Sequence, residues 1–152
     1  MLRVRAKIYN VTHVNGKPHN LIRFLARIPV LYQLIAFVTA KRVVVRGRSM
    51  LPALEPGERV LFDRLAYVLD EPRVGDIVLA RHPARPGVRM IKRVAQGEGL
   101  GRDEYWLLGD NAKESTDSRT LGAFRREEVL GRAWVVYWPV GRFRVINRPT
   151  SR

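Results

Sequence analysis

Cysteine is absent from the 152 residues, which excludes disulfides, thiolate catalysis and cysteine-ligated metal, and leaves the redox compartment open. Histidine is nearly absent: His13, His19 and His82 are spread too thinly to form a recognisable metal motif. No metal and no cofactor are therefore expected. Acidic residues are missing from whole regions, since every Asp and Glu falls between Glu55 and Glu128 while residues 1–42 carry eight Lys or Arg and no acid. Lysine is scarce as well. Of 28 basic residues only Lys7, Lys17, Lys41, Lys92 and Lys113 are lysines, so a lysine inside the folded part asks for a reason. A long uninterrupted apolar run is also lacking. Residues 21–40 (LIRFLARIPVLYQLIAFVTA) are broken by Arg23, Arg27, Pro29 and Gln33, and the nearly uncharged part is shorter than the roughly 20 residues that a spanning helix needs.

What is present suffices for one domain with a real core, at 46% hydrophobic residues. The net charge of +14 is concentrated at the two ends, where it suits nucleic acid or an anionic membrane surface. The apolar residues between the N-terminal charges favour the membrane. Four regions follow: a basic lead-in at 1–20, a helical apolar and basic segment at 21–42 that is a candidate membrane anchor, a core at 43–139, and a basic tail at 140–152 (Arg142, Arg144, Arg148, Arg152). Segment 21–42 has three readings: a helix in the interface with snorkelling arginines, a short imperfect span, or an amphipathic helix packed on the domain. Its long lead and early arginines disfavour a cleaved signal peptide. Charge flanks it on both sides, so the positive-inside rule does not orient it.

The core reads as short strands and turns. Three valines at 43–45, alternation at 58–63 and 88–94, and short runs between turn signals at 77–81, 105–108 and 132–138 predict strands, with turns at 55–57, 82–87 and 96–102. Residues 64–71 are ambiguous between loop and strand, and 109–122 (GDNAKESTDSRTLG) form a polar loop without periodicity. The fold class expected is mostly β, a compact antiparallel core of short strands with an N-terminal helical segment.

Val43-Val44-Val45-Arg46-Gly47-Arg48-Ser49-Met50-Leu51-Pro52 runs a β-branched strand into Gly47 and stops it with Pro52, which presents the Ser49 hydroxyl on a kink. Ser49 is then either a turn residue or a nucleophile, and the second requires a base. Lys92 offers one. Period-2 alternation puts it on a face with apolar Met90 and Val94, opposite to Ile91 and Arg93. Burial there lowers a lysine's pKa toward the range useful to a base, which arginine cannot reach. The alternative is a solvated lysine on an open strand face.

Several motifs occur in a fixed order: Gly47-x-Ser49-Met50-x-Pro52 with Leu54-x-x-Gly57, Gly75-Asp76-Ile77-Val78, Ile91-Lys92-Arg93-Val94, Gly109-Asp110-Asn111 with Ser115-x-Asp117-Ser118-Arg119-x-x-Gly122, Gly131, and Trp138-Pro139. Together they resemble the type I signal peptidase family over residues 43–139. The Gly-x-Ser-Met element alone is shared with self-cleaving repressors, and the Gly109-to-Arg119 loop is the discriminating part. The resemblance implies a Ser49/Lys92 dyad, Ser115 orienting the lysine amine, and an Asp117–Arg119 ion pair holding the loop. Asp110 and Asn111 are expected to shape the turn through side-chain to backbone bonds. Val45, Met50, Met90 and Ile91 fall where the family lines shallow pockets for small substrate residues, and the Ser49 N–H where it helps form the oxyanion hole. Gly47 stands where some members add a hydroxyl. The family's turn after the lysine is replaced by Ala95-Gln96-Gly97-Glu98-Gly99, and little chain remains before Gly109 for a second β domain, so the resemblance is to a minimal core.

The resemblance implies a serine endopeptidase that removes an N-terminal leader or signal peptide after small residues. Its partner would be a leader-bearing precursor polypeptide, at a membrane, with the active site on the extracytoplasmic face. Small members of the family include dedicated maturation proteases, as of the nickel superoxide dismutase type, and this alternative implies a cytoplasmic enzyme. Other classes stay in view: a self-cleaving regulator, a Ser/His/Asp triad through His82, and a non-catalytic basic module binding nucleic acid or lipid. No nucleic-acid partner is expected from the leading reading. Oligomeric state is left open.

Overall fold

A computed structural model describes residues 29–147. The basic lead-in, residues 21–28 of the apolar segment, and Arg148 and Arg152 lie outside the described residues. The elements are α1 (Pro29–Thr39), β1 (Lys41–Val44), β2 (Arg59–Asp63), α2 (Ala66–Leu69), β3 (Ile77–His82), β4 (Arg85–Ala95), β5 (Glu104–Leu108), α3 (Ser118–Leu121), β6 (Phe124–Arg125), β7 (Val129–Trp138) and β8 (Arg144–Val145). Pairing is antiparallel throughout, in the order β1-β2-β7-β3-β4-β5-β6, with β8 on β7. The mostly β class expected from alternation is the architecture found.

Strand β7 enters between β2 and β3 and so joins the first hairpin to the second. Strand β3 shows why the sheet is buried on both faces. Its residues Ile77 and Leu79 join a core with Val45, Met50, Leu54, Val60, Phe62, Ala133 and Val136. Val78 and Ala80 point the other way, into a second core with Tyr67, Val94, Leu107 and Phe124. A side-chain period of 2 makes this division unavoidable once both faces are covered. Gly131 belongs to the same close packing, because a Cβ there would lie 2.7 Å from the Asp63 carbonyl oxygen.

Helix α1 leans on the end of β2, where the Tyr32 hydroxyl donates to Asp63 Oδ2 at 2.5 Å and Ala36 is buried. Its Val30, Leu34, Phe37 and Val38 are exposed. No helix among the described residues is long and apolar enough to cross a membrane.

Several sequence expectations are revised. Residues 64–71 contain the helical turn α2, closed by Val68 N–H on the Leu65 carbonyl. The 82–87 turn is tighter than its prolines suggested, with β3 ending at His82 and β4 resuming at Arg85. Within 109–122 lie a 3-10 turn (Ala112–Glu114) and α3. In the segment read from its charge as a tail, Arg144–Val145 pairs with Val135 and Val136.

Candidate active site

The turn carrying Ser49 is pinned on both sides. Val45 N–H donates to the Glu58 carbonyl at 2.8 Å and Gly57 N–H to the Val45 carbonyl at 2.9 Å, which fixes the end of β1. Gly47 then reverses the chain at φ +76, where a side chain would be strained. Leu51 N–H returns to the Arg48 carbonyl at 3.2 Å and Leu54 N–H to the Met50 carbonyl at 2.9 Å. Met50 and Leu54 are buried and hold the far side of the turn in the core. Ser49 is therefore half-buried on a kink whose flanks cannot move freely.

Lys92 arrives from β4, opposite Val78 in the β3 register and on the face of Met90 and Val94. It is 3% exposed, and its Nζ donates to Ser49 Oγ at 3.1 Å. Burial pushes the Lys92 pKa down; Asp117 pulls it up, Arg119 pushes it down again, and Asp110 pulls it up slightly. Strand β5 pairs with β4 only at Arg93–Ala95, leaving the edge before Arg93 without a paired strand among the described residues.

The loop after β5 returns to the serine turn, where Asn111 N–H meets the Ser49 carbonyl. At its centre is Asp117, fully buried, whose carboxylate accepts from Gly109 N–H (2.9 Å), Ser115 Oγ (2.6 Å), Arg119 Nε (2.9 Å), Arg119 Nη2 (2.6 Å) and Arg119 N–H (3.2 Å). Burial alone would raise the carboxyl, but these donors, Arg119 foremost, hold it well below the usual range. Ser115 donates to Asp117, and among the described residues no hydrogen bond joins it to Lys92. Ser118 Oγ accepts from Leu107 N–H at 2.8 Å and ties α3 to β5.

Two main-chain groups of the Gly109-Asp110-Asn111 motif, which the sequence reading gave no contact with Ser49, meet it directly. Asn111 N–H donates to the Ser49 carbonyl at 2.9 Å. Gly109 approaches so closely that a Cβ there would lie 2.7 Å from the same carbonyl oxygen. The Gly109-Asp110-Asn111 motif marked the place, but main-chain contacts leave no residue-type signal beyond the glycine. Asp110, expected to cap its own turn, instead takes Arg93 Nε at 2.8 Å and Nη2 at 2.7 Å, while Arg93 Nη1 donates to the Gly75 carbonyl at 2.8 Å. The Asn111 side chain donates to Glu114 Oε1, at 3.4 Å, and to no other group among the described residues.

A groove of about 640 Å³ runs past Ser49 and Lys92, and Val45, Met50, Met90 and Ile91 all line it. Val45 and Met50 are chiefly core residues, at 4% and 2% exposure. His82 does not line the groove; its Nδ1 accepts from Ala84 N–H across the β3–β4 turn.

The family described as signal peptidase, peptidase S26, matches residues 19–99 and 95–138. The chain is 33% identical over 118 residues to the mitochondrial inner membrane protease subunit 1 of Xenopus tropicalis, covering 66% of this chain and 71% of that protein. It is 30% identical over 157 residues to signal peptidase I of Leptolyngbya laminosa, covering 76% of each. The human mitochondrial inner membrane protease subunit 1 is 30% identical over 118 residues, covering 66% of this chain and 71% of that protein. A match that begins before the serine turn and ends at the last long strand takes in strands β1 to β7 around the groove: the chain belongs to the signal peptidase family, peptidase S26, and is a serine endopeptidase of the signal-peptidase type.

Proposed function

We propose that Ser49 is the nucleophile and Lys92 its general base, and that the enzyme removes an N-terminal leader from a precursor by cutting after small residues. The observation that carries this reading is the 3.1 Å separation of Lys92 Nζ from Ser49 Oγ, with the lysine buried. A buried ammonium without a carboxylate in contact is costly, so the neutral amine is favoured and can accept a proton. As Ser49 Oγ bonds to the scissile carbonyl carbon, its proton passes to Nζ. The carbonyl oxygen becomes an oxyanion facing the Ser49 N–H, a group with no acceptor among the described residues. Collapse breaks the C–N bond, and Nζ returns the proton to the leaving amine. Water then attacks the Ser49 ester while Lys92 takes its proton, and the proton passes on to Ser49 Oγ as the ester C–O bond breaks, freeing the leader and restoring the serine.

The precursor lies extended in the groove, against the free edges of β1 and of β4 before Arg93, with small side chains set toward Val45, Met50, Met90 and Ile91. Residues 43–139 act as the peptidase core. The exposed apolar side of α1 supports a role for this helix at a membrane, and placing the active site on the extracytoplasmic face rests on the family likeness alone.

Cleavage of a leader-bearing precursor tests the dyad. Ser49→Ala and Lys92→Met are each expected to lose about 10²–10⁴-fold in rate, and Lys92→Arg to do no better, because arginine keeps its proton. Undiminished cleavage by any of the three would remove the dyad from consideration.

A further inference from the structure

The groove carries charge that the proposed hydrolysis does not use. Lys41, Arg42, Arg46, Arg48 and Arg89 line it, against Glu114 as the one acidic residue. Glu114 meets Arg48 only at 3.7 Å, with the two side chains 46% and 64% exposed. Arg42, Arg46 and Arg89 are exposed and form no ion pair among the described residues. Residues 1–28 and 148–152 hold no Asp or Glu that could reach them. Three acids outside the groove are engaged by other arginines: Asp110 by Arg93, Asp117 by Arg119 and Glu58 by Arg144.

The β3–β4 register adds to the imbalance. Arg81 sits directly opposite Arg89, and both are exposed. Like charges facing each other across a strand pair are destabilising. The rim thus keeps a repulsion that a single acidic neighbour would relieve, which suits a site whose missing anions come with the ligand.

Resting on the reading of this groove as the precursor-binding site, we infer that the enzyme selects precursors carrying Asp or Glu in the extended segment that flanks the scissile bond. The cations stand on both walls: Lys41, Arg42, Arg46 and Arg48 come from β1 and the turn after it, Arg89 from β4. An extended polypeptide between two strand edges sends alternate side chains toward each wall, so both can meet a carboxylate. Arginine's planar fork matches a carboxylate through two parallel N–H bonds. Positive charge lining a cleft also concentrates anionic ligand before contact.

The test uses the full chain and two peptides spanning the cleavage site, identical except that two Asp residues near the scissile bond in one are Asn in the other. Exposed ion pairs are modest, so two of them are expected to favour the Asp peptide by about 2- to 25-fold in kcat/KM, through KM. The advantage shrinks in about 0.5 M salt, and Arg46→Gln with Arg89→Gln brings the ratio toward one. Equal or inferior cleavage of the Asp peptide by the parent at low salt overturns the inference. If phosphatidylglycerol vesicles instead speed cleavage of both peptides alike, and the arginine variant loses that response, the arginines serve a lipid surface and the inference falls. Anisotropy binding of both peptides to the Ser49→Ala protein separates this question from the peptidase reading. Tighter, arginine-dependent binding of the Asp peptide sustains the charge selection even if the parent cuts neither peptide, an outcome that would sink the peptidase reading alone. Equal binding ends the charge selection whatever the cleavage.

Discussion

Replacing Gly109 by Ala perturbs the nucleophile through its own main chain. The added Cβ would lie 2.2 Å from Ser115 Oγ, 2.6 Å from Ser115 Cβ and 2.7 Å from the Ser49 carbonyl oxygen. Rotating Ser115 moves only its hydroxyl, and that hydroxyl is held by Asp117 at 2.6 Å. The Ser49 carbonyl is held by Asn111 N–H. Going from 2.7 Å to the 3.4 Å where ordinary contact begins takes about 0.7 Å of relative displacement. Overpacking of this kind costs about 1–3 kcal/mol in stability, and a misplacement near 1 Å at a reacting group costs about 10²-fold in rate. Gly97→Ala is the control. Its Cβ would lie 2.8 Å from Leu100 Cδ1 and 2.9 Å from Trp106 Cβ, and Gly97 does not line the Ser49 groove. Urea denaturation is expected to show both variants destabilised, while kcat of the folded protein falls about 10- to 100-fold for Gly109→Ala alone. A Gly109→Ala protein with the parent's kcat, or one whose loss Gly97→Ala matches, would refute the reasoning.

Lys92→Met, inactive on the proposed mechanism, is expected to unfold at the same or higher denaturant than the parent, by about 1 kcal/mol, because it removes a buried polar group whose desolvation the fold otherwise bears. The sign follows from linkage. Lys92 has a lowered pKa when folded, so below the unfolded value the native state is penalised, and the variant's advantage disappears as pH rises through about 10.4. Asp117→Asn is expected to lose about 2–4 kcal/mol at neutral pH, short of the full cost of a broken buried pair, since the Arg119 side chain is 43% exposed and can rehydrate. The folded Asp117 carboxyl is held below its unfolded value, so its contribution is complete above about pH 4 and is lost as pH falls further. Parent and variant should converge in acid denaturation.

Strand β3 was legible because two buried faces call for a short continuous apolar run, here IVLA between turn signals, and β4 because VRMIKRV carries period-2 alternation. Residues 109–122 display none, since their shape is set by one buried carboxylate collecting donors and not by a face laid on the core. The pairing of Arg144–Val145 was hidden for a related reason. Arg142 and Arg144 look solvated in sequence, yet Arg144 is drawn in by Glu58, 2% exposed, through bonds of 2.7 and 2.9 Å and by the Ala53 carbonyl at 2.8 Å. Ser49 and Lys92 were legible as chemistry: a hydroxyl on a kink, and a lysine where the chain otherwise uses arginine. The main-chain contacts of Gly109 and Asn111 on Ser49 were not, because an N–H is the same in nearly every residue.

Lys92 and Arg93 are adjacent, and the loop treats them oppositely. Arg93 receives both oxygens of Asp110 and the Gly75 carbonyl. Among the described residues no carboxylate pairs with Lys92, and its hydrogen bond is to Ser49 Oγ. The acid that acts on it most strongly is Asp117, which draws the amine toward its protonated form, and Arg119 opposes that pull while occupying both oxygens of the same carboxylate. On the proposed mechanism Arg119 is then a positioning residue in an electrostatic sense, offsetting the charge of Asp117 so that burial dominates the state of Lys92. On the proposed mechanism, activity rises with pH as Lys92 loses its proton, with a midpoint below the ordinary lysine value of about 10.4. Arg119→Gln leaves Asp117 less neutralised, so the rising limb is expected to move to higher pH, with activity depressed near neutrality and recovered in alkali. A merely structural Arg119 would give a loss uniform across pH. That result, or a shift toward lower pH, would contradict the assignment, and the Gly109→Ala profile, lowered without being displaced, supplies the comparison.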